Sequence, residues 1–180
     1  MLSFATRQWV LRTFVLPATV VLFAVLGAPT SIANAASIIR VTTSGATSGT
    51  CGGDWSHPCN LLYALGSVAN SGDEIWVAAG VYKPTTSTTD RSVSIPLKAG
   101  VALYGGFAGS ETERAQRDPQ AHVTIFSGDI DGDDSQTPIV TEANTVTGLG
   151  NNSYHVVMGA AGATLDGVTI TAGYIPGLWV

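Results

Sequence analysis

Charge is what this chain has least of. Asp, Glu, Lys and Arg together make up 12% of its 180 residues, and the 8 basic ones stand against 13 acidic ones. Nucleic acid and anionic membranes are gripped through Lys and Arg, so neither is expected as a partner. Cysteine is nearly absent as well: Cys51 and Cys59, in "CGGDWSHPC", are the whole supply. Two thiols with His57 between them are too few ligands for a zinc site, and there is no C-x-x-C redox pair. After residue 35 no apolar run is long enough to span a membrane. Helix signals are scarce too, while Gly, Ser, Thr and short runs of β-type residues are plentiful. That balance points to an all-β protein.

The first 35 residues have a different character. Arg7 and Arg12 precede an apolar run over residues 14–26, interrupted by Pro17, and Ala33-Asn34-Ala35 follows. A basic start, a short apolar run and a small-residue cleavage site describe a secretory signal peptide. The run is shorter than the roughly 20 residues that a membrane span needs. Cleavage after Ala35 leaves residues 36–180, with six basic and thirteen acidic residues and a formal charge of −7. Outside the cytoplasm a close cysteine pair oxidises, so a structural Cys51–Cys59 disulfide looped around Trp55 is expected.

One helix is expected in residues 36–180. Leu61, Leu62, Leu65, Val68 and Ala69 recur at helix spacing, Pro58 suits the first turn and Asn70-Ser71-Gly72 the exit. The rest reads as short strands. Ile38, Ile39 and Val41 open the first; Ile75 and Val77 point one way in the next and Trp76 the other. Val93, Ile95 and Leu97 share a face, with Pro96 opposite and therefore at an edge or bend. "VALYGGFAG" reads as a strand ending in a Gly-Gly turn, and "HVTIFSGDI" as one with Val123 and Ile125 inward. Strand character resumes at "YHVVMG" and in "TLDGVTIT", where Leu165, Val168 and Ile170 are core candidates. Residues 128–152 read as a long surface loop. Strand centres near Val77, Val101 and Val123 suggest a repeat of about twenty residues, which suits stacked coils; a jelly roll or sandwich fits the strand count nearly as well.

Five blocks, in order, carry a resemblance: "SGDEIWVAAGVYKP", "GVALYGGFAGSETERAQRD", "SGDIDGDD", "NSYHVVMG" and "LDGVTITAG". Together they resemble the N-terminal part of a family of bacterial exported right-handed parallel β-helix proteins of the pectate-lyase-like superfamily. The resemblance runs from about Trp55 to Gly173. It implies an all-β solenoid whose early helix, over residues 60–69, caps the first coil and hides its core and strand edges. In that family the last block leads into many further coils, whereas "YIPGLWV" stands here, so the expectation is the first coils of a longer solenoid. The implied role is a secreted or cell-surface scaffold that binds extracellular glycans or other surface components. The alternative is the front of a polysaccharide lyase or glycoside hydrolase.

The strongest polar cluster is "GDIDGDD", which places Asp129, Asp131, Asp133 and Asp134 within six residues. Hard oxygen ligands in a flexible loop suit calcium, with Glu142 as an additional ligand, although the EF-hand order of ligands is not kept. A solvated acidic loop is the plain alternative. The same carboxylates invite comparison with a glycoside-hydrolase pair, and "GDD" resembles one polygalacturonase element. The companion N-T-D, G-H-G and R-I-K blocks are missing. Arg114 and Arg117, the candidate bases for a lyase, lie among Glu111, Glu113 and Asp118 and read as surface ion pairs. No residue is therefore assigned to catalysis. Trp55, Trp76, Tyr82, Tyr104 and Phe107 read either as core or as a sugar-stacking platform.

Overall fold

The computed structural model describes residues 36–85, 87–139, 141 and 145–175. The predicted signal peptide, Glu142 and the terminal Leu178-Trp179-Val180 lie outside the described residues. Among the described residues the regular structure is mostly strand, and every strand pairing is parallel. The described residues form nine strands: β1 (Ile38–Ala46), β2 (Glu74–Ala78), β3 (Gly80–Tyr82), β4 (Ile95–Pro96), β5 (Ala102–Phe107), β6 (Thr124–Ser127), β7 (Val157–Met158), β8 (Thr164–Asp166) and β9 (Val168–Thr171). They make three sheets, ordered β1-β2-β5-β8, β3-β6-β9 and β4-β7. From β2 onward the chain visits the three sheets in a fixed rotation, and within each sheet the strands follow chain order.

Parallel pairing in register stacks like on like. Ile39, Ile75, Leu103 and Leu165 are successive partners across the first sheet. The first three are buried in the core with Val41, Val77, Ile95 and Phe126, and Leu165 packs against them half-buried. Each fully buried aliphatic side chain contributes about 1.5–3 kcal/mol relative to exposure, so this ladder is the main source of cohesion. On the opposite face the register partners are Arg40, Trp76, Tyr104 and Asp166. This face is covered as well. The Arg40 guanidinium lies 5.3 Å from the Trp76 ring, and those of Arg114 and Arg117 lie 4.5 and 5.2 Å from Tyr104.

The expected helix is shorter and wider than its apolar spacing suggests. One α-turn, α1 (Leu61–Tyr63), opens directly into a π-turn over Ala64–Val68. Asn60 is the N-cap, its Oδ1 accepting from the backbone N–H of Leu62 at 3.0 Å and of Tyr63 at 3.5 Å. Pro58 therefore stands before the cap and not in the first turn. Leu61, Ala64, Leu65 and Ala69 are buried in the core, with Leu62 and Val68 packed half-buried against it. The Cys51–Cys59 disulfide is present, with a Cα–Cα separation of 5.1 Å, and ties the loop around Trp55 to the entry of the helix.

Other expectations need correcting. Gly105 and Gly106 do not make a turn: they lie within β5 as a bulge, at the register shift between Trp76 and Ala78, and Gly106 adopts φ +95°. In β6 the inward residues are Thr124 and Phe126, while Val123 is 40% exposed. The core accepts Thr124 because its hydroxyl is satisfied: it accepts from Gly106 N at 3.0 Å and points to the carbonyl of Val77 at 3.2 Å. Val101 and Val123 are not register partners of Val77, and the strands of the first sheet recur at unequal spacings, so the regular twenty-residue repeat is not the true one. Ile170 aligns with Phe126 on the core side yet is 51% exposed, since no strand pairs with the far side of β9 among the described residues.

The excursion between β5 and β6 lies against the outer face. Arg114 pairs with Glu74 at 2.6 Å and Arg117 with Asp166 at 2.8 Å. Their partners are thus on the sheet and not among the neighbouring acidic residues. Glu111 is 8% exposed, and its carboxylate accepts the backbone N–H groups of Ala108, Gly109 and Ser110 at 2.6, 3.0 and 3.0 Å. Burial pushes its pKa up, but these donors outweigh burial and hold it below the ordinary value. A carboxylate depressed in the folded state stabilises fully above its unfolded pKa, and that stability is lost as pH falls through the folded value. Glu111→Gln is therefore expected to cost about 2 kcal/mol at neutral pH. The difference from the parent should shrink as the pH falls below 4.5, read by denaturant unfolding at a series of pH values.

Candidate metal centre

The acidic cluster begins where β6 ends. Ser127, fully buried, accepts the N–H of Asp129 on its Oγ at 3.2 Å and turns the chain inward. Asp129 is buried, and its Oδ1 accepts the N–H of Gly132 at 2.6 Å, closing a tight turn that Gly132 completes at φ +85°. That turn brings one carboxylate oxygen each from Asp129, Asp133 and Asp134 within 4.8 Å of one another. Asp131 is not in this set. Its Oδ2 accepts from Asn151 Nδ2 at 2.7 Å.

The far end of the long loop returns to the same place. Ser135 N donates to Thr147 O and Thr147 N to Ser135 Oγ, both at 3.0 Å, drawing residues 135 and 147 together. Gly148, at φ +99°, then passes so close that a Cβ there would lie 2.7 Å from Asp133 Oδ1. Directly after the short helical turn Leu149–Asn151, Asn152 is wholly buried and its Nδ2 donates to Asp134 Oδ2 at 2.8 Å. Arg91 locks this segment from the other side, donating to Asn152 O at 2.6 Å and to Tyr174 O at 2.9 Å. The stretch predicted as surface loop is thus partly interior, with Ile130, Val146 and Leu149 buried.

The electrostatics are those of crowded negative charge. The hydrogen bond from Asn151 holds Asp131 below the usual carboxylate range. Asp133 is pushed up, first by desolvation and then by the charge of Asp131. Asp134 is also pushed up by desolvation, against the opposing Asn152 hydrogen bond, and further by the charges of Asp129, Asp133 and Asp131. Lys83 is the nearby cation, with Nζ 3.2 Å from where a Cβ on Gly132 would stand, but it forms no ion pair among the described residues. Three side chains here also carry buried oxygens without a hydrogen-bond partner: Asp131 Oδ1, Asp134 Oδ1 and Asn152 Oδ1.

Beside the cluster runs an open groove of about 710 Å³ between the helical turns and β3. Thr43, Asn60, Tyr63, Lys83 and Ile130 are among its walls, so the acidic loop forms one border of it. The five aromatic residues of the expected platform do not line up on a surface. Trp76, Tyr82 and Phe107 are buried, Trp55 donates its Nε1 to Glu111 O at 2.9 Å, and Tyr104 lies under Arg114 and Arg117. Tyr63, in α1, and the buried Tyr82 are the rings that line the groove. Asn152 is the polar residue that sequence reasoning missed, and its one signal is the Asn151-Asn152-Ser153 run just before strand character resumes. Compared with family models, curated proteins and solved structures, the chain matches none.

Proposed function

We propose that this chain is an exported scaffold, built as a right-handed parallel β-helix with a helical cap, that binds glycans at the cell surface or outside the cell. The observation that carries this reading is the rotation of the chain through three parallel sheets whose strands add in chain order. Such a rotation is what successive coils of a solenoid produce, and parallel crossovers are right-handed in nearly all proteins. The ordered sequence blocks support membership of the pectate-lyase-like superfamily. The signal-like start of the chain and the disulfide are compatible with an oxidising compartment outside the cytoplasm.

The groove is where a glycan fits. Its walls mix the hydroxyl and amide groups of Thr43, Asn60 and Ser67 with the Tyr63 ring and the Lys83 ammonium. Sugars are bound by such a mixture, hydroxyl partners giving orientation and an aromatic face giving contact area. Affinity electrophoresis through gels containing neutral or uronic-acid polysaccharides tests the reading. Retardation by at least one polysaccharide is expected, with Tyr63→Ala restoring the mobility seen in plain gel. Free migration in every gel, or retardation that Tyr63→Ala and Lys83→Gln leave untouched, would remove the glycan assignment.

A further inference from the structure

We infer that the ligand of the groove is an uncharged polysaccharide, and that the acidic turn at its border excludes polyanions. The inference rests on the glycan reading and names the class of glycan. Of the residues lining the groove only Lys83 is charged. The others meet a ligand through hydroxyl, amide, aromatic and aliphatic groups. Such groups pair with sugar hydroxyls and ring faces and ask for no charge on the ligand.

Lys83 is the one candidate anchor for an acidic sugar, and its position argues against that use. Its Nζ stands 3.2 Å from the point where a Cβ on Gly132 would be, so the ammonium lies against the acidic turn. Gly132 is flanked in sequence by Asp131 and Asp133, with Asp129 and Asp134 in the same turn. Four carboxylates against one ammonium leave this border negative. Ile130, between Asp129 and Asp131, is itself a wall of the groove, so a bound chain comes within the roughly 10 Å over which charge acts at 0.1 M salt. Other cations are engaged elsewhere: Arg114 and Arg117 pair with Glu74 and Asp166, and Arg91 donates to the carbonyls of Asn152 and Tyr174. A polyuronide, negative at each sugar, therefore meets repulsion along this border, whereas a neutral chain meets none.

The test compares polymers that differ in charge alone. The full chain is run through affinity gels holding polygalacturonate, the same polymer fully methyl-esterified, or a neutral galactan or glucan, at about 10 and 100 mM salt. Retardation is expected in at least one neutral gel, equal at the two salt concentrations and lost in Tyr63→Ala. Polygalacturonate should bind at least about tenfold more weakly than that neutral polymer at low salt, and the gap should narrow at higher salt as repulsion is screened. Asp133→Asn and Asp133→Lys, changes at an exposed side chain, should raise affinity for polygalacturonate about threefold and about tenfold, with neutral affinity kept within about twofold. Polygalacturonate bound as tightly as any neutral polymer overturns the inference and leaves the glycan reading standing. So does discrimination that neither salt nor the Asp133 variants alter, because charge is then not its cause. Free migration in every gel removes the glycan reading, and this inference with it.

Discussion

Replacement of Phe107 by alanine is expected to remove about 3–5 kcal/mol of folding stability, a large share of what a domain of this size possesses. Phe107 is wholly buried at the end of β5. Its ring stacks on Trp76 at 4.8 Å with planes only 9° apart, and Trp55 leans on it at 5.8 Å. Trp55 is in turn tied to Glu111 through its indole N–H and belongs to the disulfide loop. The truncation would thus leave a cavity beneath two separate pieces of chain, the Trp76 strand and the Trp55 loop, which cannot both collapse into it. Denaturant unfolding monitored by tryptophan fluorescence gives the number. Phe107→Leu, which keeps most of the volume, should cost about 1.5 kcal/mol or less. An alanine variant within about 1 kcal/mol of the parent would mean that the aromatic stack is not a source of stability.

Gly105→Ala is the second large effect, and its cause is the opposite one. A Cβ at Gly105 would run into the carbonyl oxygen of Gly167 and stand 2.9 Å from the Cβ of Thr124. The first obstacle is backbone on the neighbouring strand layer and cannot swing aside. The second is the residue whose hydroxyl accepts the N–H of Gly106 and points to Val77 O, so displacing it breaks buried hydrogen bonds as well. A loss of about 3 kcal/mol or more is expected from the overlap. Gly53→Ala is the matched control, because a Cβ there meets nothing within 4 Å, and it should stay within about 0.5 kcal/mol of the parent. Equal midpoints for the two variants would refute the close approach of β5 to the β8–β9 corner.

How far the structure was legible in the sequence depended on contrast between faces. In β2 the pattern puts Ile75 and Val77 on one face and Trp76 on the other, so that rung of the ladder is readable, whereas Leu103 stands between Ala102 and Tyr104 and too little contrast singles it out. The helical turns were visible because Leu61 and Leu65 repeat at the right interval after Asn60, although the widening at Ala64 carries no sequence signal. In β6 the reading inverted. Thr124, Ile125, Phe126 and Ser127 are all buried, so alternation has no polar side to report, and only the backbone partners of Thr124 decide which face it takes. The unequal spacing of strands hid the rotation through three sheets, since the excursions after β5 and β6 differ in length. Four aspartates in six residues announced the acidic cluster at once. Asn152 could not be found with them, because it arrives by closure of a loop through Ser135 and Thr147, and nothing local in the sequence encodes that meeting.

The succession of strands has a consequence for how the molecule is made. Each sheet grows by laying the newest segment beside one synthesised before it, so apart from β1, β3 and β4, which found the three sheets, every strand meets a partner already made. Assembly can then start at the disulfide-tied front and proceed in the direction of synthesis, each finished layer serving as template for the next. For a polypeptide threaded end-first through a narrow passage, that is a route in which the emerged part is already ordered while the remainder is still linear.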